Sequence, residues 1–177
     1  AAAFICSMTK LAQVAAAGRE RPDQMLSEMN RLLAQCLHSG TFVTIFAILY
    51  DPADGRLQYA RGGHPPGLLL KRAGGEVRLL KSDGFALAFF AGGDYACSEE
   101  QLEVGDALLL YTDGLVEARN RSGEIYGYDR AAKIMLTSAP EEGSAQMLSR
   151  LLNDLDDFRD GRRLKDDVTA AILKRIR

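Results

Sequence analysis

Apolar positions along the chain change period twice. Residues 1–14 repeat at helical spacing, with Phe4, Met8, Leu11 and Ala15 on one face. No cap precedes them, so residue 1 is expected inside or at the start of a helix, with the chain cut there or a segment preceding it. Gly18 ends this helix, and a second opens at Pro22-Asp23, where proline suits the first turn and an acid suits the positive helix end. Met25, Met29, Leu32, Leu33, Cys36 and Leu37 form its broad apolar stripe, read as core.

From Thr41 the period shortens. Thr41 to Tyr50 is β-branched, aromatic and apolar on both faces, which predicts a central strand. Asp51 to Gly55 is a turn, and Arg56 to Arg61 returns as a strand. Short strands follow at 68–71 and 76–81, and an exposed one lies within 95–104. Residues 82–93 are glycine-rich and apolar and suit a flap. Gly105-Asp106 turns the chain into the apolar run Ala107 to Tyr111, which stops at Asp113-Gly114. Helical period then resumes. Asp129 is the expected N-cap of a helix to about Thr137, and Ser144 caps another with Met147, Leu148, Leu151, Leu152 and Leu155 inward. Residues 154–163 read as a charged loop, and 165–176 as a last strand opened by Asp166-Asp167. Two helices, a run of mostly antiparallel strands, two helices and a strand make an α+β layered fold.

Composition narrows this little. At 177 residues, one domain burying about 70% of its unfolded surface is expected. A net charge of −2 gives no electrostatic case for nucleic acid or an anionic membrane as the main partner. No apolar run approaches the roughly 20 residues of a membrane helix, and no secretory signal opens the chain. The three cysteines, Cys6, Cys36 and Cys97, form no zinc pattern and read as buried or free thiols of a cytoplasmic protein.

The candidate chemistry is carboxylate chemistry. Asp113 ends one apolar strand beside a glycine, and Asp166-Asp167 opens another. Each has an ordinary alternative, an Asp-Gly turn and a solvated turn. If the strands are antiparallel neighbours, the carboxylates fall at one sheet edge, where a hard cation such as magnesium or manganese would relieve their repulsion. Other chemistries fit worse. Asp51 and Asp54 lack calcium-loop spacing, and the residue two before Asp113 is Tyr111, not the nucleophilic acid of a haloacid-dehalogenase-type site. No Gly-x-Ser-x-Gly elbow or phosphate-cradling loop occurs.

Taken together, the motifs resemble those of a known family. They are Phe42-Val-Thr44, Gly63-His-Pro-Pro66, Gly105-Asp106, Leu110-Tyr-Thr-Asp-Gly-Leu-Val-Glu-Ala118, Asn120, Gly123-Glu-Ile-Tyr-Gly127 and Asp166-Asp-Val-Thr169, in family order. The chain resembles the SpoIIE/RsbU-type branch of the PPM (PP2C-like) serine/threonine phosphatases, from about Phe4 onward. The resemblance implies a sandwich of two mostly antiparallel sheets flanked by helices. It also implies hydrolysis of phosphoserine or phosphothreonine by a water activated between two Mn2+ or Mg2+ ions.

Residue by residue, Asp113 and Asp166 match metal ligands, and so carry catalysis through the activated water. Gly114 matches a close-approach residue, Asp167 a supporting one, and His64 the residue that holds the Gly-His-Pro-Pro loop. The expected substrate is a phosphorylated STAS-domain anti-sigma-factor antagonist in partner-switching stress or developmental signalling. An upstream receiver, PAS or GAF sensor domain is expected, with the two N-terminal helices as regulatory elements. A homodimer is one oligomeric option, and no nucleic-acid or membrane partner is expected.

Two departures qualify this. The family begins with Gly-Asp and Asp-Val-Ser-Gly motifs that supply further ligands. Residues 1–177 start after them, as a partial domain with part of a metal site that is inactive on its own. The family's Pro-Leu-Gly flap is replaced by Gly84-Phe-Ala-Leu-Ala-Phe-Phe90. Two rivals follow: a catalytically silent PPM-like domain that binds a regulatory protein, and an unrelated α+β module. The second survives only if the strands bearing Asp113 and Asp166 are not neighbours.

Overall fold

The computed structural model describes residues 2–15, 17–18, 21–38 and 40–177, with the side chains of residues 2–5, 8, 12 and 15 outside the description. The contacts divide it into two compact units. One comprises Ala1–Pro66 and Lys81–Gln101, the other Gly67–Leu80 and Leu102–Arg177.

The first unit begins with helices α1 (Ala2–Ala15) and α2 (Pro22–Cys36). On α1, Leu11 is exposed, whereas the predicted face-mates Phe4, Met8 and Ala15 fall outside the described side chains. On α2 the buried stripe is Leu26, Met29 and Leu33, with Asn30 among them. Met25 and Leu32 pack at its margin, and Cys36 is exposed. Strands β1 (Ile45–Tyr50), β2 (Arg56–Gly62) and β5 (Cys97–Gln101) form an antiparallel sheet in the order β1-β2-β5. Leu26, Met29 and Leu33 close with Ala47, Ala60, Leu87 and Tyr95 into one core.

The expected central strand is therefore an edge strand: among the described residues β1 has one strand neighbour, and β2 lies in the middle. Its two apolar faces reflect cover rather than pairing. Ala47 is buried in the core, while Phe46 stacks on Tyr59 at 5.7 Å. Hydropathy registers how much of a face is covered, not how many strands flank it.

The 82–93 segment is strapped down by backbone bonds in both directions between Val43 and Leu87, at 3.0 and 2.8 Å. The Asn30 side chain accepts from Ala88 N at 2.7 Å and donates to Phe90 O at 3.1 Å. Leu87 is fully buried, and Phe85, Phe89 and Phe90 are exposed in edge-to-face contact.

The second unit holds β3 (Gly67–Lys71), β4 (Glu76–Leu80), β6 (Ala107–Tyr111) and β7 (Ala170–Lys174), all antiparallel, in the order β4-β3-β6-β7. Helices α3 (Asp113–Val116), α4 (Gly127–Leu136) and α5 (Ser144–Arg159) accompany it. Leu68, Leu70, Leu109, Tyr111, Leu115, Met135, Met147, Leu151 and Leu155 belong to its core. Asp106 is 1% exposed. It accepts from the Lys71 ammonium at 2.5 Å, Arg72 N at 2.8 Å and Glu103 N at 2.9 Å, tying the end of β3 to the start of β6. A buried carboxylate is tolerable only with such partners.

Four helix and strand boundaries differ from expectation. The segment read as a charged loop from residue 154 is the last turn and a half of α5. Leu155 and Phe158 continue the apolar stripe, and Arg159 pairs with Asp156 one turn back. The helix stops at Asp160 and Gly161, whose φ angles of 48° and 76° are left-handed. Its N-cap is Gly143, whose N–H is accepted by Gln146 Oε1 at 2.9 Å, not Ser144. Helix α4 begins before Asp129, which falls in the first turn, where an acid still favours the helix dipole. The last strand is confined to 170–174, and Asp166 and Asp167 lie in an exposed bend ahead of it. All three cysteines are free, Cys6 and Cys36 exposed and Cys97 half-buried. Among the described residues no helix is long and apolar enough to cross a membrane.

Candidate active site

The site follows from one register. Strands β6 and β7 pair so that Tyr111 faces Ala170, and the chain leaves β6 where it enters β7. Asp113 and Asp166-Asp167 therefore lie at the same end of the sheet. The reading as an unrelated module, which required that these strands not be neighbours, is overturned.

Thr112 continues the ladder past the last strand residues. Its N–H donates to Thr169 O at 2.9 Å, and its hydroxyl donates to Asp167 O at 3.1 Å and accepts from Thr169 N at 3.0 Å. That hydroxyl was not singled out in the sequence, because threonine reads as neutral in hydropathy.

Beyond Thr112 the chain turns into α3. Leu115 N donates to Thr112 O and Glu117 N to Asp113 O. Gly114, Leu115 and Val116 are buried, anchoring the short helix and leaving Asp113 exposed at its first position. Gly114 allows the crossing. A Cβ there would stand 2.4 Å from Asp167 O, 3.0 Å from Asp167 C and 3.2 Å from Asp166 O. Only glycine lets the two carboxylate-bearing segments come this close.

The motif residues after α3 form a small hairpin. Arg119 bridges Ile125, Asn120 N donates to Glu124 O, and the Asn120 side chain accepts from Glu124 N at 2.9 Å and donates to its carboxylate at 2.6 Å. Gly123 makes the turn with φ 86°. Behind it, the buried Tyr126 hydroxyl donates to Asp154 at 2.8 Å, and Arg130 grips the same carboxylate at 2.7 and 3.0 Å. The Arg130 hydrogen bonds hold the Asp154 carboxyl below the usual range, while burial, with Asp154 second, pushes the Tyr126 phenol up. The hairpin is cross-linked to the 160–163 segment by Arg162 Nη1 to Asn120 O and Arg121 Nε to Asp160 O, both 2.6 Å.

Between hairpin and segment lies a cleft of about 390 Å3, lined by Gly114, Glu117, Arg119, Arg162, Arg163, Lys165 and Asp166 among others. The basic residues passed unremarked as part of a charged loop; the signal was the run Arg162-Arg163-Leu-Lys165 directly before Asp166.

The other singled-out residue, His64, belongs to the first unit. Its carbonyl accepts Arg61 Nη1 at 2.7 Å, its Nδ1 lies 3.1 Å from Pro65 O, and its ring meets Phe46 edge-on at 6.3 Å. All are loop-holding contacts.

The donors at the sheet end fit a hard cation in kind but fall short in number. Asp113 and Asp166 offer oxygen, yet no group of three acidic, histidine or cysteine side chains able to hold a metal occurs among the described residues.

Comparison with known proteins identifies the family and the fold. The family model described as Stage II sporulation protein E (SpoIIE) matches residues 1–176. Phosphoserine phosphatase RsbU of Bacillus subtilis is 30% identical over 156 residues, 87% of this chain and 45% of the relative, so the chain spans about half that protein's length. Among solved structures, the SiaA-PP2C domain of Pseudomonas aeruginosa superposes with a TM-score of 0.77 at 22% identity, covering 94% of this chain and 67% of that one. The manganese-presoaked phosphatase domain of Bacillus subtilis SpoIIE gives 0.65 at 17%, covering 93% and 70%. RsbX in complex with magnesium gives 0.67 at 14%, covering 96% and 73%. Two antiparallel sheets with flanking helices are the fold these neighbours share, and the chain belongs to the SpoIIE family, as a SpoIIE/RsbU-type PPM phosphatase domain.

Proposed function

We propose that the sheet end bearing Asp113 and Asp166 is the hydrolytic centre of a serine/threonine protein phosphatase. The observation that carries this reading is the antiparallel pairing of β6 with β7, which puts the two carboxylate-bearing segments at one end of the sheet, in close backbone approach at Gly114. Asp113 and Asp166 would hold a divalent cation, Mn2+ or Mg2+, with two ions in the complete domain. Such ions supply a nucleophile at neutral pH and offset phosphoryl charge. The chain's own part is positional: Thr112 fixes the Asp167 backbone, α3 fixes Asp113, Asp167 acts as a support, and His64 holds its own Gly-His-Pro-Pro loop.

Residues 1–177 are then the greater part of one catalytic domain. Likeness to a phosphoserine phosphatase supports a phosphoserine protein as substrate, and the motif resemblance extends this to a STAS-domain anti-sigma-factor antagonist in a cytoplasmic partner-switching pathway with an upstream sensor domain. The test is phosphate release from such a phosphoserine protein by the full-length protein with manganese. It is expected to proceed in the wild type and to be abolished by Asp113→Asn. Equal release by the variant would remove Asp113 from the centre. Binding of the partner without release by the wild type would favour the silent-domain reading.

A further inference from the structure

We infer that the cleft between the 118–126 hairpin and the 160–166 segment is a docking subsite for an acidic peptide, the stretch of a protein substrate that flanks its phosphorylated residue. The second half of that statement rests on the phosphatase reading; the first rests on charge and shape. Four cations, Arg119, Arg162, Arg163 and Lys165, line the cleft against two carboxylates, Glu117 and Asp166. This is a positive surface on a chain whose net charge is −2.

Neighbouring arginines show the contrast. Arg121 is paired with Asp160 and Arg159 with Asp156. None of the four cleft cations has a carboxylate within ion-pair distance among the described residues. Where Arg119 and Arg162 do bond, it is to backbone carbonyls, Gly123 O at 2.7 Å and Asn120 O at 2.6 Å. Those bonds fix the guanidinium groups without neutralising them. The cleft is thus a held, uncompensated positive surface, suited to carboxylate side chains.

Size and placement select a peptide. A cleft of about 390 Å3 is too large for a single anion and takes a few side chains of an extended segment. Gly114 and Asp166 of the proposed centre are among its lining residues, so a phosphorylated residue held there would have its neighbours beside the cationic side chains.

The test uses the full-length protein with manganese and two labelled, unphosphorylated peptides, one glutamate-rich and one glutamine-rich, followed by fluorescence anisotropy. The glutamate peptide is expected to bind about 10-fold tighter, with the preference shrinking as salt rises. The double substitution Arg163→Gln, Lys165→Gln is expected to remove that preference. Equal affinity for the two peptides, or a preference that survives the double substitution, overturns the inference. Phosphorylated versions separate the two readings. Flank-dependent binding without phosphate release sinks the phosphatase reading and sustains the docking site, whereas release indifferent to the flanks does the reverse.

Discussion

Replacing Gly114 with alanine tests the link between fold and site most directly. The added Cβ would lie 2.4 Å from Asp167 O, and the atoms it meets are backbone, which cannot rotate away. Ordinary contact begins near 3.4 Å, so the 166–167 segment must retreat by about 1 Å. The Thr112 hydroxyl already reaches Asp167 O at 3.1 Å, and that retreat stretches the bond beyond use. Overpacking costs about 1–3 kcal/mol and the lost bond about 1 kcal/mol, so roughly 2–4 kcal/mol is expected. For a chain of this size each kcal/mol lowers Tm by about 2–4 °C, which gives a fall of at least about 4 °C by calorimetry. On the proposed phosphatase reading, a shift of about 1 Å in the segment that carries Asp166 costs about 100-fold in rate, so phosphate release by the full-length protein should fall by that order even where the variant is fully folded. A variant that melts within a degree of wild type, with undiminished phosphate release, would refute the argument that the glycine is there for close approach.

Two further substitutions probe the second unit. Asp106→Ala leaves the Lys71 ammonium and the amides of Arg72 and Glu103 without their buried acceptor. It is expected to cost about 3–5 kcal/mol in chemical denaturation, and a loss below 1 kcal/mol would mean the carboxylate does not hold β3 to β6. Asp154→Asn weakens the two-pronged contact with Arg130 and the bond from Tyr126, at an expected cost of about 1–2 kcal/mol near neutral pH. Because Arg130 lowers the folded-state pKa of Asp154 below its ordinary 3.8, this stability is present above that value and lost as pH falls through the folded pKa. The gap in Tm between wild type and variant should therefore be constant from pH 7 to about 5 and narrow on further acidification; a gap that widens in acid would contradict the sign.

What could be read in advance divides along a physical line. Elements set by local hydropathy were legible: the α2 stripe, the β6 run and the antiparallel strand sequence follow from period and turn chemistry. Features set by partners distant in the chain were not. Asp106 reads as a turn residue beside Gly105, and its partners Lys71 and Arg72, distant in the chain, together with Glu103 N, make it a buried residue. The edge position of β1 depends on which strands exist to pair with it, which its own composition does not encode. The end of α5 was hidden because Asp156, Asp157, Arg159 and Asp160 outweigh Leu155 and Phe158 in number.

The candidate site stands between these cases. Asp113 and Asp166 were each visible, but their meeting depended on a register that sequence left conditional, and the register is set by groups outside the motifs' acidic residues. Thr112 pairs with Thr169 in both directions, through backbone and hydroxyl, and so locks the two segments where the β-ladder proper has ended. Gly114 then lets Asp167 cross at a distance no side chain would permit. The carboxylates are exposed, so burial does not hold them; they are placed by rigid backbone on either side. In that division of labour the Thr-Asp-Gly triplet is a positioning unit as much as a proposed ligand motif: the threonine ties the two segments, the aspartate is exposed, and the glycine sets the separation.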